Sequence, residues 1–526
     1  MRSFLVLGFY LGLLAFKVNG ANILGLFPYP SQSHFNSIQP VMTRLAKNNH
    51  NITSISSFRL GEKLDNYEEI IVPMYDFWTN VQNDLGVKNM FEASRSSPNS
   101  LHKAVRKTGA ELVDFFLQQS KVQEILRSKE NFKYDLIIVD LFHTEALFMI
   151  GQIFEVPVIA LASSNFENYM TSLVESAVPS ACSPIDYETY SQDKSFSQRV
   201  SNIFECTERR SQRHKDLISQ DEVAKKHFSG LGRGTLSPVS NLLSRTSITL
   251  LNNYAPLLTP RPSVPNIIPV GGTHIKPTQE IQWNIKRFLD DAREGAIYFS
   301  LGTVLKCSDL DSDKLNAIVA VIGKLKEKVL WHCDLKKVDN QPKNLLLQNI
   351  VISSDVLAHP HVTFFMTSGG LLGLQEAILR SVPILGIPVF RDQHINLRIV
   401  EKLGIGIKLD FTNLTESSLA WSLEKLTTDP SFLTKAREIS SKFRDRPLGS
   451  VQASTFWIEH ILKFKDSSHL RIVGAEISSY ELYFGDIVVI LLFVILGLIL
   501  FGYLFYRIAT QVQKKREENK LYSKLR

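Results

Sequence analysis

Residues 362–396, VTFFMTSGGLLGLQEAILRSVPILGIPVFRDQHIN, constrain the fold of this chain more than any other stretch. They spell strand, glycine turn, helix, strand and acidic loop. Residues 362–366 form a short apolar run rich in β-branched and aromatic side chains, which suits a buried parallel strand. Gly369 and Gly370 follow and open a helix that carries Gly373 and Glu376. A helix start of this kind leaves backbone N–H groups unpaired and concentrates positive dipole at its tip, a setting that favours a diphosphate. Gly369, Gly373 and Glu376 stand three or four residues apart and share one face. A carboxylate there can accept two hydrogen bonds from a ribose diol. Taken alone, the glycines fit equally well a βα turn that only packs.

The rest of the chain has the grammar of two α/β halves. The first opens with a strand at 23–27, a loop carrying His34, a helix near 38–47 and a strand at 51–57, and continues through strands at 136–140 and 158–161. The second has strands at 296–300, 329–331, 362–366 and 384–387. Alternation of this kind predicts parallel sheets covered on both faces by helices. Residues 259–265, TPRPSVP, read as a crossing between domains. His34 follows the first strand and Asp140 ends the run DLIIVD, so both fall at the C-terminal edge of one sheet, where open parallel sheets bind ligands. A lone loop histidine also suits a plain surface, and Asp140 also suits a helix cap. Residues 58–132 and 165–243 look longer and less regular, and Met74, Phe77, Trp78, Met90 and Phe91 give the first of them apolar surface.

The ends carry the charge. The net charge is +7. Arg2 and Lys17 account for the N-terminal share, and seven Lys or Arg against Glu517 and Glu518 for the C-terminal share, so the body between is neutral overall and offers no nucleic-acid footprint. Residues 1–20 have a charged start, an apolar run and a small-residue cleavage site, the form of a signal peptide. Residues 487–506 are uncharged and long enough to cross a bilayer as a helix. The basic tail 507–526 follows, so the positive-inside rule makes the chain a type I membrane protein with a cytosolic tail. Four cysteines, Cys182, Cys206, Cys307 and Cys333, show no zinc spacing. An oxidising compartment permits a Cys182–Cys206 bridge, which spacing alone does not establish. Asn51 and Asn413 head glycosylation sequons, and Asn51 directly precedes a predicted strand.

As a whole, 362–396 resembles the signature of the UDP-glycosyltransferases, the membrane-bound animal type of insects and vertebrates. That signature is a strand, His-Gly-Gly, a helical Glu, Pro and then Asp-Gln. Gly369, Gly370, Glu376, Pro383, Pro388, Asp392 and Gln393 fit it, and the likeness extends from the leader to the tail. It implies the GT-B fold: two Rossmann-like domains facing across a cleft, plus a single C-terminal transmembrane helix. The expected divisions are a signal peptide at 1–20, an acceptor domain at 21–250, a linker at 251–290 and a UDP-sugar domain at 291–447. A helix at 448–470 crosses back to the first domain, followed by the membrane span at 487–506 and the tail at 507–526.

The resemblance also implies chemistry. His34 becomes the general base and Asp140 the acid that orients it and stabilises the imidazolium. The acceptor oxygen displaces UDP with inversion at the sugar carbon. Thr303, Ser368, Gly369, Gly370 and Glu376 fall at donor contacts, and Asp392 and Gln393 at the sugar hydroxyls. No metal or other cofactor is implied. The co-substrate is a UDP-sugar, UDP-glucose first and UDP-glucuronate second, and the acceptor is a small lipophilic molecule, as in the family's detoxification role. The body would lie in the lumen of the endoplasmic reticulum; self-association is left open. Two departures mark the donor half. Ser368 stands where the family has His, and Ile350, Ile352 and Ser353 stand where it has Trp, Pro and Gln. These departures keep a second expectation alive, a non-catalytic relative that binds lipophilic ligands or partners.

Overall fold

The computed structural model describes residues 20–164, 195–232, 234–257, 263–390, 392–471 and 485–525. The expected leader, Cys182 and the side chain of Cys206 lie outside them. The chain divides into two compact units, Met1–Ile472 and Val473–Arg526.

Among the described residues, the first unit contains two wholly parallel sheets. The N-terminal sheet has seven strands: β1 (Asn22–Phe27), β2 (Asn51–Ser56), β3 (Tyr67–Ile71), β4 (Leu136–Asp140), β5 (Val158–Ala162), β6 (Ile248–Leu251) and β7 (Ile267–Pro269). Their order is β3-β2-β1-β4-β5-β6-β7. The C-terminal sheet has six: β8 (Ala296–Ser300), β9 (Lys328–His332), β10 (Leu345–Gln348), β11 (Val362–Thr367), β12 (Ile384–Gly386) and β13 (Gly406–Lys408), in the order β10-β9-β8-β11-β12-β13. Each order reverses once, between β1 and β4 in the first sheet and between β8 and β11 in the second. Ligands bind at such switch points, beyond the carboxyl ends of the strands.

Unbroken apolar runs form the central strands because both faces are covered. In β4, Leu136 and Ile138 enter one core with Ile23, Val41 and Met42, while Ile137 and Val139 enter the other with Leu24, Leu26 and Phe148. In β8, Ile297 and Phe299 face a core with Trp331, and Ala296 and Tyr298 face a core with Leu374 and Ile384. The edge strand β3 alternates less and exposes Glu68 and Glu69, charges that discourage pairing with another chain.

The helices used below are α1 (Gln32–Lys47), α2 (Pro98–Leu117), α3 (Phe196–Phe228), α4 (Leu371–Leu379), α5 (Gln393–Lys402), α6 (Ser450–Phe464) and, in the second unit, α7 (Gly485–Lys524). Three sequence expectations are revised. Residues 58–132 are largely helical, with α2 and the shorter Phe77–Leu85 and Met90–Ala93. The segment 251–290 is not only a linker, because β7 within it pairs with β6. Helix α1 begins at Gln32, so His34 sits in its first turn and not in a loop.

Helix α6 packs on α1. Its Ile458 and Ile461 join the core of Ile38 and Leu45, and Asn48 donates to Glu459 at 2.6 Å. Helix α7 is long and apolar enough to cross a membrane and continues through the basic tail.

Candidate active site

Pro28 and Pro30 stop β1 from extending, and α1 starts two residues later, so the sheet edge turns directly into a helix. His34 Nδ1 lies 3.3 and 3.2 Å from the two carboxylate oxygens of Asp140. Asp140 ends β4, the neighbour of β1 across the switch point, and its side chain is 1% exposed against 13% for His34. Nδ1–H therefore donates to the carboxylate, which leaves Nε2 as the bare, basic nitrogen. Rings enclose the imidazole: Tyr29 at 4.4 Å and Phe142 at 5.2 Å between centroids, with Phe77 5.1 Å from Tyr29. Phe77, Met90 and Phe91 are core, Met74 is exposed, and Trp78 meets Phe390 of the other half edge-on at 5.6 Å. Phe91 stacks on Phe411 at 5.0 Å, so apolar contacts bridge the two halves.

In the second half, Gly369 has φ +92°, the left-handed region that favours glycine. A Cβ there would also meet Leu397 of α5 at 2.6 Å. Gly370 is the N-cap of α4 with no side-chain bond, so the first-turn N–H groups of that helix remain open to an anion. Thr303 is exposed in the loop after β8, across the switch point from this turn.

Ser368 is 3% exposed, and its hydroxyl donates to the Leu301 carbonyl at 2.9 Å. Its one proton points inward in this structure. Gln393 also turns inward: its carbonyl oxygen accepts from the Val389 and Phe390 N–H groups, and its NH2 donates to Ser368 Oγ at 3.4 Å. Gln393 thus braces the loop. Asp392 accepts from Asn396 at 2.9 Å, and Asn396 also donates to the Gly369 carbonyl at 3.0 Å, tying the acidic loop to the glycine turn. Ile350 and Ile352 are 69% and 62% exposed. The Ser353 hydroxyl pairs with Tyr298 at 2.8 Å.

Glu376 lies on α4 with its side chain 13% exposed. Burial pushes its carboxyl up to about 8, the Asp355 charge adds to the rise, and Arg380 opposes both. Burial thus favours the neutral carboxylic acid, which can also donate a hydrogen bond, where the sequence pictured a carboxylate that only accepts. Its neighbour His274, missed from sequence, is held neutral by burial, which lowers it to about 4 despite a bond to the Leu372 carbonyl. The sequence signal was the run Gly271-Gly272-Thr273-His274, whose long-range contacts no local pattern announces.

A disulfide joins Cys307 and Cys333, with Cα atoms 5.5 Å apart, and ties the loop after β8 to the end of β9. The spacing of the four cysteines had left pairing open. Both sequon residues are exposed: Asn51 opens β2 with its amide donating to Asn22, and Asn413 stands at the end of a short 3-10 turn.

Two facing Rossmann-like halves, a His–Asp pair at one switch point and a glycine turn with an acidic helix residue at the other, define a GT-B glycosyltransferase. The family described as "UDP-glucoronosyl and UDP-glucosyl transferase" matches residues 27–518, and the chain belongs to it. UDP-glycosyltransferase UGT4 of Dactylopius coccus is 30% identical over 502 residues, covering 94% of this chain and 96% of that one. UDP-glucuronosyltransferase 2A3 of Mus musculus is 25% identical over 485 residues, covering 89% and 88%. Among solved structures, the calicheamicin glycosyltransferase CalG4 shares the fold with a TM-score of 0.58 at 17% identity, covering 85% of this chain and 99% of that one. The enzyme is a UDP-glycosyltransferase that uses a UDP-sugar donor and an acceptor.

Proposed function

We propose that the chain transfers a hexose, glucose first, from its UDP-sugar to a hydroxyl of a small lipophilic acceptor, with inversion and without a metal. The observation that carries this reading is the His34–Asp140 pair at the switch point of the first sheet. His34 Nε2 takes the acceptor proton as the oxygen attacks the sugar carbon. Asp140 fixes the ring and stabilises the imidazolium, a task suited to a buried carboxylate. The bond from sugar to the β-phosphate breaks, and UDP carries the electron pair away toward the N-terminus of α4. Open N–H groups and the helix dipole receive the diphosphate, so charge neutralisation needs no cation in this reading. Glu376 holds the ribose, Asp392 a sugar hydroxyl, and Thr303 a phosphate oxygen. The rings of Tyr29 and Phe142 against His34 support a lipophilic acceptor.

The same reading places the body in the lumen of the endoplasmic reticulum and the basic end of α7 in the cytosol. The Cys307–Cys333 disulfide supports the oxidising side of the membrane independently of the charge rule.

A second reading has its own support. Ser368 and Ser353 are committed inward, and Ile350 and Ile352 offer no hydrogen bond to a base. These observations favour a relative with weak donor binding that holds lipophilic ligands. One experiment separates the two: calorimetric titration of the full-length chain in detergent with UDP and UDP-glucose. Binding between micromolar and low millimolar supports the enzyme. If folded protein does not bind, and binding returns in the S368H/I350W/S353Q variant, the donor site has decayed.

A further inference from the structure

The four residues Gly271-Gly272-Thr273-His274 leave β7 and run between the two halves of the site. Asn252 receives the Gly272 N–H on its side-chain oxygen at 3.0 Å. The Thr273 hydroxyl donates to the Ser37 carbonyl at 2.7 Å, and the Ser37 hydroxyl in turn donates to the carbonyl of His34. One residue later the strap reaches the other half. His274 Nε2 lies 3.2 Å from the Leu372 carbonyl in the first turn of α4 and 3.7 Å from Glu376 Oε1. Gln375, next to Glu376, donates back to the Asn252 carbonyl at 2.8 Å. A third element clamps the start of the strap: Arg446 and Ser450 both donate to the Gly271 carbonyl at 2.7 Å, and the Arg446 guanidinium lies over the Tyr254 ring at 4.1 Å. Gly272 has φ +93°, a backbone state that a side chain would strain.

His274 itself is built in. Its side chain is 3% exposed. The bond to Leu372 requires Nε2–H, so Nδ1 is a bare acceptor, and Nδ1 is buried with no hydrogen-bond partner among the described residues. An unmet polar atom carries a cost that packing alone would remove with an apolar side chain of similar size. The imidazole forms the wall against which the Glu376 carboxyl rests, and the same strap is bonded to the helix that carries the base.

We propose that His274 is a positioning residue for the donor: with Thr273 it spans from α1 to α4 and fixes the Glu376 carboxyl where a ribose diol meets it. The inference rests on the reading of Glu376 as the ribose contact. It predicts that removing His274 weakens only the part of binding that depends on the diol.

The test compares UDP with 2′,3′-dideoxy-UDP, titrated by calorimetry into the full-length chain in detergent. The wild-type chain binds UDP at least about tenfold more tightly than the dideoxy nucleotide, the worth of a buried hydrogen-bonded pair. His274→Ala brings that ratio to within about threefold while the dideoxy affinity stays the same. His274→Gln, whose amide nitrogen reaches the place of Nε2, restores most of the ratio, whereas His274→Asn, one bond shorter, does not. If His274→Ala fails to fold, the contrast between Gln and Asn decides. A ratio unchanged in His274→Ala, or a loss shared equally by both nucleotides, overturns the proposal and leaves His274 as a fold brace. A wild-type ratio near one sinks the ribose reading of Glu376 instead.

Discussion

At the scale of single residues, the site depends on where protons sit. With Nδ1–H given to Asp140, His34 presents an unprotonated Nε2, and loss of this proposed base is expected to cost about 10²–10⁴-fold in transfer rate. His34→Ala should show that loss in a transfer assay with UDP affinity unchanged; an equal fall in UDP affinity would mean the ring shapes the donor site. Glu376 and His274 make a pH prediction. The folded protein holds Glu376 protonated up to about 8, against 4.5 for the free group, so this term lowers stability as pH rises through that window. It holds His274 neutral down to about 4, against 6.5, so that term raises stability as pH rises from 4 to 6.5. The charged or titratable groups facing the pair are Asp355, Arg380 and Tyr298. The two terms cancel between about 4.5 and 6.5, and only the Glu376 term acts from 6.5 to 8. Over that upper range wild type should lose on the order of 2 kcal/mol relative to Glu376→Gln, read from denaturant midpoints. Parallel pH profiles for the two proteins would show that Glu376 is not protonated at neutrality.

At the scale of elements, the turn before α4 and the loop after β8 shape the proposed donor half. Gly369→Ala combines a left-handed backbone with a collision against Leu397. It should destabilise by about 1–3 kcal/mol and weaken UDP binding. Unchanged values of both would show that the turn tolerates a Cβ. The Cys307–Cys333 bridge spans a sequence separation of 26, and the Cys307→Ser/Cys333→Ser chain should lose about 3 kcal/mol in a denaturant titration. These elements also show what a sequence can disclose. Strands β1, β4, β8 and β11 were legible because apolar runs buried on both faces need no partner to be recognised. Asp140 ends β4 as its sequence run suggested, whereas His34 follows β1 only after a proline turn and lies in the first turn of α1. Glycine turn and Glu376 were legible from spacing. The inward bonds of Ser368 and Gln393 were not legible, since the direction of a short polar side chain depends on which carbonyl or N–H lies beside it. His274, the disulfide and the strand β7 were missed because each depends on pairing with another segment that no local pattern announces.

At the scale of the whole molecule, two sheets with matching strand orders bring two switch points together, and the strap at 271–274 and helix α6 bind the halves. Orientation in the membrane gives a further prediction. Full-length chain in sealed microsomes should carry a glycan at exposed Asn413, seen as a mobility shift that endoglycosidase removes and Asn413→Gln abolishes. Cleavage of the basic tail by protease added outside should leave that glycan intact. A glycan-free chain whose body is digested from outside would reverse the orientation. The central claim is transfer by the His34 base, and the most direct measurement is sugar transfer from radiolabelled UDP-glucose to a panel of phenols and lipophilic alcohols by full-length chain in microsomes, wild type beside His34→Ala. The expected result is a glucoside formed by wild type and reduced at least about 10²-fold in the variant. Equal transfer by both chains, or none by folded wild type that binds UDP-glucose, would contradict it.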